Sequence, residues 1–375
     1  MINILYISPF GYLGGGEISI STIINNLDRE NFNPLVVCYE EGVFPDSLRR
    51  QGIECLILKR KSYFSDPAII LSLVRLIKYK KIDLVHVNSL DIRAGLAAKL
   101  SATPFVGHLR VIFPFTWRDS LFVWLSNITI AVSTVVVNIL AGDRLSIRDK
   151  FIVMPPAIDI PVQTKHSDLR QEFGLEAGTL LIGIVGRLDP FKGHPVFIDM
   201  AAEIKKRVSN IKFLVIGGSA TGATSTVDTY EMELRSKVSG LGLDKDFIFT
   251  GFRADVLSVI GGLDILVIPS HSVKKGRGEL REGFGRVAVE AMAMGVPVVA
   301  SLSGGLPEII QDKVNGLLVP PDDPIATAEA VIWLKNNPKK TEIIKQKGRE
   351  RFEEFYSTRN LVSLYELYAK LAKKN

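Results

Sequence analysis

The sequence predicts an α/β protein made of two Rossmann-like domains, each a doubly wound parallel sheet with helices on both faces. Three observations carry this. Strand-like apolar runs alternate with helical runs from the first residues onward. The rhythm stops at a turn-rich stretch, Met154-Pro-Pro-Ala-Ile-Asp-Ile-Pro161, and then starts again. The length, 375 residues, suits two domains of ordinary size. The expected boundaries are 1–160 and 161–357, with a last helix over about 358–375 rejoining the first domain.

The first half opens on a strand at Ile2–Ser8, followed by a helix from about Glu17 to Leu27. Further strands are expected at Pro34–Cys38, Cys55–Leu58, Leu84–Val87, Phe105–Leu109 and Ile128–Val132. Ser120 to Gly142 carries no charge and is long enough to raise the question of a membrane helix. Its polar residues divide it instead into a helix end, a strand and a new helix capped by Ser133. The second half repeats the rhythm at Leu180–Val185, Lys212–Ile216, Phe247–Thr250, Ile265–Ile268, Pro297–Ala300 and Gly316–Val319. In the last helix Leu361, Leu364, Leu367, Tyr368 and Leu371 make one apolar face, which must pack on something.

Composition narrows the function. Apolar residues make up 47% and charged residues 23%, a globular balance with ample core. The net charge of +6 suits anionic small ligands or an anionic membrane surface, and it is too small to argue for nucleic acid. The two cysteines, Cys38 and Cys55, sit in strand-like runs and read as buried thiols. The N-terminus reads as a strand rather than a basic leader, so a cytoplasmic protein is expected.

In doubly wound sheets ligands bind beyond the carboxyl ends of the strands. Three turns there carry chemistry. Gly14-Gly15-Gly16-Glu17 follows the first strand and opens a helix, where free N–H groups and a close backbone suit a phosphate. It is neither a Gly-x-Gly-x-x-Gly fingerprint nor a P-loop. Gly186-Arg187-Leu-Asp-Pro-Phe-Lys192-Gly193 places two cations five residues apart, which can clamp a diphosphate. In Glu282-Gly-Phe284-Gly285-Arg286-Val287-Ala-Val-Glu290, two carboxylates stand eight apart around a helix start. Carboxylates accept from hydroxyls, and the N–H groups of Phe284 to Val287 suit an anion. Glu290 lies in an apolar stretch and needs a partner.

These motifs, with Asp83-Leu-Val-His86, Ser303-Gly-Gly-Leu-Pro-Glu308 and Asn315-Gly-Leu-Leu-Val-Pro320 in order, resemble the retaining glycosyltransferase family 4. The likeness runs through nearly the whole chain. It implies a GT-B fold, two such domains facing across a cleft, and transfer of a sugar from a nucleotide-diphosphate sugar to a glycan or lipid-linked hydroxyl, with retention. Arg187 and Lys192 would hold the diphosphate. Glu290 would bind the ribose, and Glu282 the sugar hydroxyls. Phe284, Gly285, Arg286 and Val287 would line the sugar and phosphate site. Gly15 and Gly16 would approach the phosphates, and Phe252 and Arg253 would lie against the base. His108 matches the family histidine that contacts the donor sugar, and His86 is a second candidate.

No Asp-x-Asp and no His/Cys ligand set stands out, so no cofactor and no essential metal are expected. The basic stretch His271 to Arg281 reads either as a mobile basic surface loop or as one that orders over the donor or contacts an anionic acceptor. The aromatic residues of Val111 to Trp117 and Leu121 to Trp124 read first as ordinary helix packing; the resemblance implies instead a first-domain surface that meets a lipid-linked acceptor at the membrane periphery. The Pro-rich linker is a hinge candidate. A sugar-nucleotide epimerase or hydrolase of related fold, and a non-catalytic sugar-nucleotide-binding protein, remain as alternatives.

Overall fold

The structure, a computed structural model, describes residues 1–59, 66–110, 117–142, 144–161, 164–218, 226–275 and 278–373. The chain divides into two compact units, Met1–Ala157 with Thr358–Asn375, and Ile158–Ser357.

The first unit runs β1 (Ile2–Ser8), α1 (Gly15–Asn25), β2 (Phe32–Cys38), α2 (Val43–Arg50), β3 (Glu54–Ile57), α3 (Pro67–Tyr79), β4 (Leu84–Val87) and α4 (Ile92–Leu100). It continues with β5 (Phe105–Leu109), α5 (Trp117–Leu125), β6 (Ile128–Ala131), α6 (Thr134–Ala141), a short α7 (Leu145–Arg148) and β7 (Phe151–Val153). All seven strands are parallel, in the order β3-β2-β1-β4-β5-β6-β7. Every residue of β4 and β5 is buried, as in a strand covered on both faces.

The uncharged stretch divides between α5, β6 and α6 as the sequence predicts. The Ser133 hydroxyl accepts from the Val136 N–H at 3.4 Å and so caps α6. Among the described residues no helix is long and apolar enough to cross a membrane. The helix after β1 starts earlier than expected, at Gly15, because Glu17 Oε2 accepts from the Gly14 N–H at 3.3 Å and stabilises the first turn. The edge strand β7 is not legible beforehand, since three half-exposed residues give no period.

The second unit runs α8 (Leu169–Glu172), β8 (Leu180–Val185), a 3-10 turn (Pro190–Lys192), α9 (His194–Lys205), β9 (Ile211–Ile216), α10 (Thr226–Gly240) and β10 (Phe247–Gly251). Then follow α11 (Val256–Gly261), β11 (Ile265–Ile268), β12 (Val273–Lys275), β13 (Gly278–Leu280), α12 (Arg286–Ala293) and β14 (Val298–Ser301). It closes with α13 (Leu306–Ile309), β15 (Leu317–Val319), α14 (Pro324–Asn336) and α15 (Pro338–Phe355). Six parallel strands form the order β10-β9-β8-β11-β14-β15. The stretch after His271 corrects the sequence reading. It is no plain loop, because β12 and β13 pair antiparallel with Val273 opposite Leu280. Arg277 lies outside the described residues, as does the aromatic stretch 111–116.

The last helix, α16 (Val362–Ala372), is preceded by a 3-10 turn over Thr358–Leu361 and belongs to the first unit. Leu361, Leu364 and Tyr368 are buried in the same core as Ile4, Ile20, Val36 and Leu84. Cys38 and Cys55 are buried there too, as free thiols with their sulfurs 4.0 Å apart.

Candidate functional site

Strand order locates the site in each unit. In the second unit the chain winds outward from β8 through β9 to β10, then returns on the other side of β8 at β11. The crevice at that reversal is where doubly wound sheets bind ligands. The loop after β8 folds over it. Gly193, at φ +78°, lies so close to the end of β11 that a Cβ there would stand 1.9 Å from the Pro269 carbonyl oxygen. This approach seats the 3-10 turn that carries Lys192.

Lys192 Nζ donates to Glu282 Oε2 at 2.6 Å, and the two side chains are 18% and 13% exposed. Glu282 itself is clamped from behind. Gly305 N donates to its carbonyl oxygen at 3.0 Å. Gly304, at φ +56°, passes so close that a Cβ would meet that oxygen at 2.0 Å. The Ser303-Gly-Gly turn therefore fixes the backbone that presents Glu282. Two residues beyond Phe284's predecessor Gly283, Gly285 in the left-handed region starts α12, and buried Phe284 packs edge-on against Tyr356 with centroids 5.7 Å apart.

Glu290, on α12, pairs with Arg286 one turn back, Nε to Oε1 at 2.6 Å, with the carboxylate 8% exposed. This is the partner its apolar setting requires, and the sequence reading did not find it although a spacing of four suits such a pair. Val287, between them, is half-buried. Arg187 is more open, 59% exposed, and pairs with Asp189 at 2.7 Å. Phe252 is 62% exposed just after β10. Arg253 is held by two carboxylates, Glu172 and Asp255, the second at 2.8 Å, and ties α8 to the loop after β10.

In the first unit the order reverses between β1 and β4. Gly15 and Gly16 form the first residues of α1, which follows β1. A Cβ on Gly16 would lie 3.2 Å from Asn88 Nδ2, so the helix start sits against the end of β4. Glu17 is 5% exposed and accepts from the Ser8 hydroxyl at 3.0 Å; burial pushes its carboxyl upward, against the pull of these bonds. His108, at the end of β5, contacts Arg110 and His86, and Arg110 Nε donates to Asn88 Oδ1 at 2.5 Å. Arg110 and Asn88, which the sequence reading left without a role, join His108 in this candidate site through these contacts. The available signal was their place, immediately beyond β5 and β4 near the reversal.

Three histidines are buried: His86, His108 and His194. Burial strips water from the imidazolium and pushes His86 down to about 3, His194 to about 4 and His108 well below the usual range. Arg110 adds to the effect on His86 and His108, and Lys192 to that on His194. The unfolded chain then binds more protons than the fold below pH about 6.5. Stability is full above that pH and is lost as pH falls toward the depressed values, by about 1.4 kcal/mol per pH unit for each histidine. Thermal unfolding should be level between pH 7 and 8 and fall steeply toward pH 5. His194→Leu should remove its share of that slope; an unchanged slope would mean His194 protonates freely inside the fold.

A groove of about 470 Å³ lined by Arg170, Thr179, Arg207, Asn210, Asp264 and Lys335 lies elsewhere. Thr179, Asn210 and Asp264 stand at the amino ends of β8, β9 and β11, the wrong end of a doubly wound sheet for its ligand. Among the described residues no cluster of three or more His, Cys, Asp or Glu is placed to hold a metal.

Two doubly wound parallel-sheet units, with cations and glycine turns beyond the strands at each reversal, define a protein of the Rossmann-like class. The comparison with known families makes this specific. Residues 166–351 match the family described as glycosyl transferases group 1, and residues 13–161 that described as glycosyltransferase family 4. The chain belongs to the group 1, family 4 glycosyltransferases. The D-inositol 3-phosphate glycosyltransferase of Corynebacterium efficiens is 32% identical over 230 residues, 59% of this chain and 51% of that protein. The one from Corynebacterium aurimucosum is 35% identical over 179 residues, 46% and 39% of the two chains. The chain thus spans about half the length of the curated relatives it matches.

Among solved structures, HepE of Anabaena in complex with UDP has a TM-score of 0.83 at 24% identity, covering 98% of this chain and 100% of that one. A glycosyltransferase from Rickettsia africae has a TM-score of 0.84 at 20% identity, covering 100% and 99%. At these identities the likeness shows the fold, which is GT-B.

Proposed function

We propose that this protein transfers a sugar from a nucleotide-diphosphate sugar to a hydroxyl of a glycan or lipid-linked acceptor, with retention of configuration and without a metal. The observation that carries the reading is the Lys192–Glu282 pair, seated by Gly193 and Gly304 beside the start of α12 at the strand ends. A cation, a carboxylate and a helix N-terminus together suit a diphosphate joined to a polyol. Arg187 and Lys192 neutralise the charge that grows on the leaving diphosphate. Glu282 accepts from sugar hydroxyls, and Glu290, steadied by Arg286, from the ribose. Phe252 offers an exposed ring to the base. Charge stabilisation and positioning supply the acceleration.

The step breaks the bond from the anomeric carbon to the phosphate oxygen and forms one to the acceptor oxygen on the same face. The acceptor proton passes to the leaving phosphate. HepE was crystallised with UDP and with UDP-glucose, which supports testing uridine donors first. Binding and slow hydrolysis across UDP-, GDP- and ADP-sugars, with and without chelator, test the reading. One donor should turn over with chelator present, and Glu290→Ala should weaken it at least tenfold. Release of an isomer of the donor favours the epimerase alternative, and binding without turnover the non-catalytic one.

The acceptor side has one supporting surface in the first unit. Trp117 and Trp124 are 70% and 63% exposed and stand seven apart on α5, hence on one helix face. Lys99 lies 5.8 Å from the Trp124 ring and Arg118 5.5 Å from the Trp117 ring. Exposed indoles with cations suit the headgroup level of an anionic membrane. Anionic vesicles should sediment the protein, and Trp117→Ser with Trp124→Ser should release it; equal sedimentation would remove this face from the reading.

A further inference from the structure

A chain of hydrogen bonds inside the first unit decides which nitrogen of His108 carries the proton. Arg110 Nη2 lies 3.2 Å from His108 Nδ1. A guanidinium has no acceptor, so Nδ1 must be the unprotonated, accepting nitrogen. His86 Nε2 lies 3.3 Å from the same Nδ1. Two lone pairs would repel there, so His86 carries its proton on Nε2 and donates. Neutral His86 then has a bare Nδ1, which accepts from the Tyr368 hydroxyl at 2.6 Å. Each group has one role that satisfies its neighbours, and the other tautomers leave a donor facing a donor or an acceptor facing an acceptor.

The consequence falls on His108 Nε2. It must bear the remaining hydrogen, and among the described residues it is buried with no hydrogen-bond partner. Asn88 is arranged the same way. Its Oδ1 is taken by Arg110 at 2.5 Å, and its Nδ2 is buried and unpartnered. One guanidinium thus orients two donors at the strand ends, beside the start of α1. A buried unpaired donor has lost its water without a replacement, and a ligand oxygen would relieve that cost.

We propose that Tyr368, acting through His86, is a positioning residue that holds His108 as the neutral Nε2–H tautomer. His108 and Asn88 are then hydrogen-bond donors to a substrate oxygen, and His108 is not a base. This deepens the glycosyltransferase reading and rests on it for the identity of the substrate. The oxygen belongs to a sugar hydroxyl or a phosphate, which present the same acceptor. Among the described residues, Tyr6, Tyr365, His86, Tyr368 and Arg110 are the titratable and charged groups around this chain, and Arg110 in turn faces Glu17. None of them stabilises a charged imidazole strongly, and burial holds both rings neutral.

The test is a long-range proton–nitrogen correlation spectrum of the full chain with labelled histidine. His108 should show a proton on Nε2 and a bare Nδ1, unchanged from pH 8 to 5.5. Tyr368→Phe, which keeps the ring, should mix the His86 and His108 tautomers and raise the KM for donor several-fold with a smaller change in kcat. His108→Gln, which restores an N–H, should retain more activity than His108→Ala. A proton on Nδ1, titration near pH 6.5, or unchanged tautomers in Tyr368→Phe would each overturn the proposal. The nucleotide sugar that the donor panel identifies should shift His108 Nε2–H. A shift with the sugar nucleotide alone assigns a hydroxyl, and an equal shift with the bare nucleoside diphosphate assigns a phosphate. If no nucleotide sugar binds while the wild-type spectrum shows the Nε2–H form, the transferase reading fails and the tautomer assignment stands.

Discussion

Lys192→Ala is expected to lower kcat about a hundred- to a thousand-fold, the scale seen when one preorganised charge-stabilising group is removed. Three facts make Lys192 the residue of largest effect. It is mostly buried, whereas Arg187 is 59% exposed, so water screens it less. The turn that carries it is seated by the Gly193–Pro269 approach. Its partner Glu282 is the carboxylate that the reading assigns to the sugar. The same change leaves Glu282 without its ion-pair partner, so part of the loss will be structural. Glu282→Gln in the Lys192→Ala background separates the two effects. It should restore thermal stability, because the unpaired charge is gone, and should not restore turnover. A kcat within threefold of wild type for Lys192→Ala would remove this pair from the chemistry.

Gly193→Ala is expected to cost the second unit about 3–5 kcal/mol, in the range that marks a specific backbone clash. The added methyl would stand 1.9 Å from the Pro269 carbonyl oxygen, and φ +78° disfavours any side chain. The turn cannot yield without moving Lys192, which it carries. Gly174 supplies the control. It has φ +63° with nothing within 4 Å of a Cβ, so Gly174→Ala carries the conformational cost alone, about 1 kcal/mol. In a unit of this size each kcal/mol moves Tm by about 2–4 °C, so calorimetry resolves the two. Equal losses at both glycines would mean that the close approach to Pro269 does not constrain the fold.

Most strands were legible because parallel strands buried on both faces read as continuous apolar runs. Leu84–Val87, Phe105–Leu109, Leu180–Val185 and Ile265–Ile268 appear at the bounds that the runs suggest. The β12–β13 ribbon was not legible, because Lys274, Lys275 and their neighbours carry no apolar alternation, and its pairing is set by cross-strand register. β7 escaped because three residues are too few to show a period. At the site, glycine turns and cations after strands marked Lys192, Glu282 and Glu290. The sequence could not show that Lys192 and Glu282, ninety positions apart, make one ion pair. Nor could it show that Arg253 commits its guanidinium to Glu172 and Asp255.

By itself, then, the sequence determined the α/β rhythm, its interruption near residue 155, and the turns where charge meets strand end. Those are local properties: burial period, turn chemistry and the spacing of charges along one chain. Only the tertiary structure decided which distant groups face one another. It set Gly304 against the Glu282 carbonyl, Gly193 against Pro269, and Tyr368 of the last helix against His86 of β4. The last contact spans 282 residues, and it completes the chain of partners that fixes which nitrogen of His108 can donate, since a proton's position depends on partners that sequence distance does not bring together.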